Sequence, residues 1–296
     1  MSVPAAYLAV IAIWSTTPLA IKWSSEGPGF AAGVTARMVI GTVICLLIVR
    51  LFRVAVPWHR RAVQAYAAGS LAVFGGMMSV YWGAQYIDSG LVALLFGLTP
   101  LTTTIISVMT GAESRPGMMK VFAIFIALAG LACILLPDSK NGGVTHADAV
   151  YGMAAVFMGM LMHSVSTVWV KKAAQGMPAM AMTTGSLLMS LPLYLVSWYI
   201  IDGTIPAQIE TRALGSIVYL GLFGSVLGYI MYFYALRHVT ASKMALITLI
   251  TPVTALLIGQ ALNSEQVTPI VWLGTVMIML GLVMHQWGHR LRLKLA

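Results

Sequence analysis

Leu94 to Glu113, LLFGLTPLTTTIISVMTGAE, is written a second time as Leu246 to Glu265, LITLITPVTALLIGQALNSE, at a constant offset of 152 residues. Ala93 meets Ala245, Thr99-Pro100 meets Thr251-Pro252, and Thr102 meets Thr254; the lead-ins Tyr81-Trp82 and Phe233-Tyr234 agree in kind. Each copy is an apolar helix with a Thr-Pro step inside it and an acidic residue just past its end. Two copies half a chain apart mean a duplicated unit, so the chain is expected to fold as two like halves.

The solvent of those halves is lipid. Only 8% of the 296 residues are charged and 59% are hydrophobic, with a mean hydropathy of +0.91, against roughly 25% charged residues in soluble domains. So few charges cannot cover a water-soluble globule. The net charge of +9 does not point to nucleic acid, because the basic residues fall in short gaps between apolar runs, as orientation signals do. Cys45 and Cys133 lie inside apolar runs without metal-like spacing and read as small buried hydrophobes. The first segment lacks a basic leader and a small-residue cleavage site, so it is expected to be a retained span.

At about 20 apolar residues per span, ten spans are expected: 3–21, 30–49, 62–84, 90–110, 118–136, 150–170, 179–201, 214–235, 243–262 and 268–287. With the N-terminus inside, thirteen Lys and Arg fall in inner gaps and three in outer ones, as the positive-inside rule requires. The expectation is therefore an all-α membrane protein with both termini cytoplasmic. It divides into a first five-helix repeat over 1–137, a linker at 138–149, a second five-helix repeat over 150–288 and a basic tail at 289–296. Five spans per repeat is an odd number, so the halves must be inverted relative to each other. Inverted repeats place a site near the bilayer midplane between them and supply the basis of alternating access. Small-residue faces in span 3 (Gly69, Gly75, Gly76), span 5 (Ala123, Ala127, Gly130) and span 8 (Gly221, Gly224, Gly228) allow close helix approach in lipid.

No motif of a hydrolase, a zinc protease or a phosphate-binding loop occurs, which argues against enzymatic chemistry and against ATP-driven transport within this chain; no cofactor or metal is expected. Polar groups inside spans are costly and so become the candidates. Arg37 is either the counter-charge of a substrate carboxylate or a residue that snorkels outward or pairs with Asp88; about two turns from the outer end of span 2, it meets a midplane pocket only if that pocket reaches outward. His163 is either a ligand and proton carrier or a neutral histidine satisfied in the core. Pro100 and Pro252 each free a carbonyl one turn back and kink the helix, which is tolerated at membrane depth beside a cavity. Phe96, Thr99 and Thr103 share one kinked face, as do Thr248 and Thr251. Tyr81, Trp82 and Gln85 in span 3, with Tyr229, Tyr232 and Phe233 in span 8, are either interfacial anchors or cavity walls, and Trp14 and Trp169 are further candidates.

Together these features resemble the EamA type of the drug/metabolite transporter superfamily over the whole length. The resemblance rests on Trp14-Ser15 followed by Lys22, on Arg37, on GLFGSVLGYIMYFYALRHVTASKMAL running from span 8 into span 9, on the two Thr-Pro steps, and on Glu265 followed by Gly274 and Gly281. It implies an inner-membrane exporter of amino acids, related metabolites or drugs, each half folding as five helices. Family members commonly carry the Trp, the Arg and both prolines, so the resemblance leaves an architectural role open for Arg37. The small four-span exporters of the superfamily couple to protons through a first-helix glutamate; LAVIAIWSTTPLAI has none. The expected activity is secondary transport of a small amphipathic metabolite, a neutral or aromatic amino acid for instance. The alternative is translocation of a drug, a cation or a lipid precursor. The partners are the bilayer and the small-molecule substrate, with no nucleic acid. The expected substrate contacts are Trp14, Arg37, Tyr81, Trp82, Gln85, Phe96, Thr99, Thr103, His163, Tyr229, Phe233, Thr248 and Thr251, with Pro100 and Pro252 as kinks.

Overall fold

A computed structural model describes residues 3–111, 117–135, 146–174, 176–204, 208–238 and 241–295. Glu113, most of the expected 138–149 linker, and the side chains of Phe233, Thr248 and the basic tail lie outside the described residues. The described chain forms ten helical rods: α1 Val3–Ser25, α2 Phe30–Leu51, α3 Arg60–Gly83, α4 Ser89–Met109, α5 Met118–Leu135, α6 His146–Ala173, α7 Ala179–Ile201, α8 over 211–238, α9 Ala241–Asn263 and α10 Pro269–Leu295. Eight described helices are long and apolar enough to cross a membrane, and two shorter apolar helices, Met118–Ile134 and Leu249–Asn263, lie in α5 and α9. The rods overrun the apolar stretches at several ends: α1 continues to Ser25 and α6 begins at His146. A helix satisfies its own backbone, so it does not have to stop where the apolar residues do.

Large side chains such as Leu47, Phe122, Phe125, Val196 and Ile200 point outward and are exposed, which suits lipid. Since lipid offers no hydrophobic drive between helices, the rods are held by close packing of small residues. α5 against α10 shows this at three successive points. A Cβ on Gly130 would stand 2.7 Å from the Gly274 carbonyl oxygen, one on Gly274 would stand 2.6 Å from that of Gly130, and one on Gly281 would stand 2.7 Å from that of Ala123.

The contacts come in exchangeable pairs. α2 packs on α7 and α4 on α9; α1 meets α8 and α9 as α6 meets α3 and α4; α2 meets α8 as α7 meets α3. Single bonds follow the same exchange. Ser15 and Thr254 share a hydrogen bond of 2.6 Å between α1 and α9, and Ser164 and Thr102 share one of 2.7 Å between α6 and α4. A further duplicated feature is invisible in the sequence: α3 widens into a π-helical stretch at Leu71–Gly76 and α8 does so at Leu220–Leu227. Such segments release backbone groups and re-aim side chains. The buried Tyr194 hydroxyl on α7 takes up the Val73 carbonyl.

The two Thr-Pro steps diverge. In α4 the helix breaks at Leu98 and restarts at Thr99, with Pro100 in its first turn. The Thr99 hydroxyl donates to the Phe96 carbonyl at 2.5 Å, the group that Pro100 leaves unpaired. In α9 the helix runs through Pro252, and the Thr251 hydroxyl donates to the Ile247 carbonyl at 2.9 Å.

Candidate functional site

Between the halves lies a cavity of about 660 Å³, within the range of small-molecule sites. Residues of α1, α2, α3, α4, α6, α8 and α9 form its body, and α5 and α10 contribute near one end. Of the expected contacts, Trp14, Arg37, Phe96, Thr99, Thr103, His163, Tyr229 and Thr251 line it, as does Pro100.

Its middle is a run of rings. Trp14 and Tyr232 stand 5.1 Å apart between ring centres, Tyr232 and His163 6.2 Å, and His163 and Phe96 5.9 Å. Trp14 and His163 sit beside Ser15 and Ser164, the paired serines of the interhelix bonds, so the two copies place a ring at the same point of the wall. The threonines differ from expectation in what they offer. Thr17, Thr104 and Thr167 donate to the carbonyls of Ile13, Pro100 and His163 at 2.7, 2.9 and 2.8 Å, as Thr99 and Thr251 do to theirs. A hydroxyl whose proton is spent on its own helix faces a ligand as an acceptor.

Three expected contacts lie elsewhere. Tyr81 is fully buried behind Arg37, its ring centre 6.0 Å from the guanidinium carbon, and its hydroxyl accepts from Ser24 at 3.3 Å. Trp82 packs on Tyr86 with ring centres 5.0 Å apart, and exposed Gln85 donates to the Trp82 carbonyl at 3.1 Å. Trp169 is half exposed on the outside of α6. Pro252 is buried in α9. The wall also includes residues that sequence reasoning passed over: Thr17, Thr104, Thr167, Lys120 and His285. Thr104 and Thr167 lie one turn or less from Thr103 and His163, the available signal for them.

Arg37 does not snorkel and does not pair with Asp88. It is buried, its Nε donates to Ser225 Oγ at 2.9 Å, and it reaches the cavity beside Gly224, where a Cβ would stand 3.0 Å from Nη2. Gly224 and Ser225 both belong to the π-helical stretch of α8, which turns them toward α2. With Ile21, Met77 and Val80 also in the wall, the cavity extends as far as Arg37.

The ends of the cavity differ. One carries Ser107, Lys120, Lys171, Lys172, His285 and Gln286. Beyond the other end, past Ile21 and Val92, lies a polar closure. Lys22 Nζ is 3.3 Å from Asp88 Oδ1 and 3.7 Å from Glu265 Oε1. The Glu265 carboxylate accepts from the Ser89 amide at 3.1 Å, the Ser89 hydroxyl at 2.9 Å, the Gly90 amide at 3.3 Å and Asn263 Nδ2 at 3.0 Å. It thereby caps α4 where the helix dipole favours an anion, and ties α9 and its loop to α1 and α4. Trp23 Nε1 adds a bond of 2.9 Å to Asn263 Oδ1. Burial pushes the Asp88 carboxyl above its ordinary value; Lys22 pulls it back and Glu265 pushes it up.

A polytopic helical membrane protein with a ring-lined cavity between two like halves belongs to the class of membrane transporters. The pattern of the EamA-like transporter family matches residues 3–136 and again 150–285, and the chain belongs to that family. It is 26% identical over 290 residues to YedA of Escherichia coli K12, called an uncharacterized inner membrane transporter, covering 97% of this chain and 91% of that one. It is also 26% identical over 282 residues to a protein of Streptantibioticus cattleyicolor named a probable terminal-alkyne amino-acid exporter, covering 92% and 89%. A solved crystal structure with 20% identity covers 99% of both chains at a TM-score of 0.68, a likeness of fold. The chain is thus a multi-pass inner-membrane transporter of the drug/metabolite superfamily.

Proposed function

We propose that the protein exports small amphipathic metabolites, neutral or aromatic amino acids among them, by alternating access between two inverted five-helix repeats, 1–137 and 150–288. The observation that carries this is a cavity walled by both halves, closed at one end by Lys22, Asp88 and Glu265 and lined at the other by Lys120, Lys171 and Lys172. With the N-terminus inside, the lysines face the cytoplasm and the conformation is inward-open, ready to load a substrate for export. The exchangeable helix contacts support the inverted arrangement, because a bundle that closes one end through one set of contacts has the mirror set available for the other. The amino-acid class draws support from the exporter name carried by the Streptantibioticus relative. The drug or cation alternative is disfavoured by the described wall, which holds basic residues and no acidic one. No carboxylate serves coupling in the described wall either; His163, between Phe96 and Tyr232, is the group through which a proton would act, and facilitated transport is the other mode.

Export of several amino acids and a cationic dye from proteoliposomes tests this in Trp14→Ala, Phe96→Ala and Thr103→Val variants. Removing either ring is expected to change which compounds are accepted. Thr103→Val is expected to cost about 0.5–1.5 kcal/mol, the worth of one hydrogen bond, or roughly two- to twelvefold in apparent affinity. Transport of every compound at the parent's rate by all three variants would place the pathway elsewhere.

A further inference from the structure

Arg37 is a full charge held deep in the cavity wall with no opposite charge beside it among the described residues. The residue is 2% exposed. Its Nε is satisfied by Ser225 and its face by Tyr81, while Nη1 has no hydrogen-bond partner among the described residues. The closing acids are engaged elsewhere: Asp88 with Lys22, and Glu265 with Lys22 and the start of α4. An unpaired buried charge is costly and within a membrane marks a functional site. A guanidinium offers a planar fork that matches a carboxylate, and the missing side chain of Gly224 lets the guanidinium reach the cavity wall. Across the cavity, the threonine hydroxyls present acceptor oxygens and Trp14, Phe96 and Tyr232 present rings.

Resting on the reading of this cavity as the transport site, we propose that Arg37 anchors the carboxylate of the transported molecule, so that the cavity takes small monocarboxylates with an apolar body, free acids as well as zwitterionic amino acids, and rejects the corresponding amines. An ammonium group, where the substrate has one, is received by the hydroxyl oxygens. A free acid needs no such partner, so the carboxylate is the group that decides entry.

The test is ligand-induced stabilisation of the purified protein, since a ligand that binds the folded state raises the thermal midpoint. Benzoate, benzamide and benzylamine are compared at equal concentration on the unaltered protein, on Arg37→Gln and on Arg37→Lys. Benzoate alone is expected to raise the midpoint. Its affinity should fall about ten- to hundredfold in Arg37→Gln, the loss of a charge-assisted bond, and less in Arg37→Lys. A shift by benzamide or benzylamine equal to that by benzoate, no shift by benzoate, or an unchanged benzoate affinity in Arg37→Gln overturns the assignment. If Arg37→Gln does not fold, the three ligands on the unaltered protein decide it. Efflux of phenylalanine against phenethylamine separates the two levels of inference. Equal transport of the amine defeats the carboxylate anchor and leaves the transporter reading intact; benzoate binding without transport of either compound does the reverse.

Discussion

Gly274→Leu is expected to lower the thermal midpoint of the protein sharply, by opening the seam between α5 and α10. Even a Cβ at this position would stand 2.6 Å from the Gly130 carbonyl oxygen and 2.5 Å from Ile134 Cγ1, so a leucine has no place unless α5 and α10 separate. Separation spreads the damage, because Gly130 and Gly281 form the neighbouring contacts of the same seam. Overpacking costs typically about 1–3 kcal/mol, occasionally more, and at Gly274 the obstacle is backbone that cannot turn aside. In lipid no hydrophobic drive restores the contact. The midpoint of thermal unfolding in detergent, with the yield of monodisperse protein, measures the loss. Gly215→Leu is the control, since a Cβ there meets nothing within 4 Å. An equal fall in both variants would mean that the seam is not what holds these rods.

Glu265→Ala is expected to have a comparably large effect. The side chain is 4% exposed, and its loss strands the Ser89 and Gly90 amides, the Asn263 amide and half the pairing of Lys22. Removing one partner of a buried ionic network costs about 3–5 kcal/mol. Asp88→Ala should cost under about 1 kcal/mol, because the Asp88 side chain is 38% exposed and such pairs are screened by water. Gly259→Ala should act in the same direction as Glu265→Ala, since its Cβ would overlap the carboxylate. Thermal midpoints of the three variants rank them; Asp88→Ala as damaging as Glu265→Ala would show the closure to be wrongly apportioned.

The repeat around Thr99-Pro100 and Thr251-Pro252 made the kinked face legible from sequence, and Phe96, Thr99 and Thr103 do share the cavity wall. The aromatic stripe of α3 was not legible. Its π-helical stretch at Leu71–Gly76 lies just before Tyr81, and one residue added to a turn rotates every later side chain by about 100°. Tyr81 therefore backs Arg37, and Trp82 and Gln85 leave the wall. The same device in α8 turned Gly224 and Ser225 onto Arg37, which brought the arginine into a cavity that sequence spacing alone placed short of it. The match between Ser15 with Trp14 and Ser164 with His163 was hidden because its offset is 149 residues, not 152, and because tryptophan and histidine do not look alike in a sequence. Depth and rotation about a helix axis need neighbours, and only the packed rods supply them.

The central claim is one cavity between the two halves, reached from one face of the membrane at a time. Its most direct measurement is labelling of Thr103→Cys by an impermeant maleimide, in a background carrying Cys45→Ala and Cys133→Ala, on sealed vesicles of each orientation. Labelling of Thr103→Cys is expected to be fast from the cytoplasmic face and slower from the outer face, and faster from the outer face once Glu265→Ala has weakened the far closure. Labelling from the outer face with Glu265 in place, as fast as from the inner one, or labelling from neither face, would contradict it.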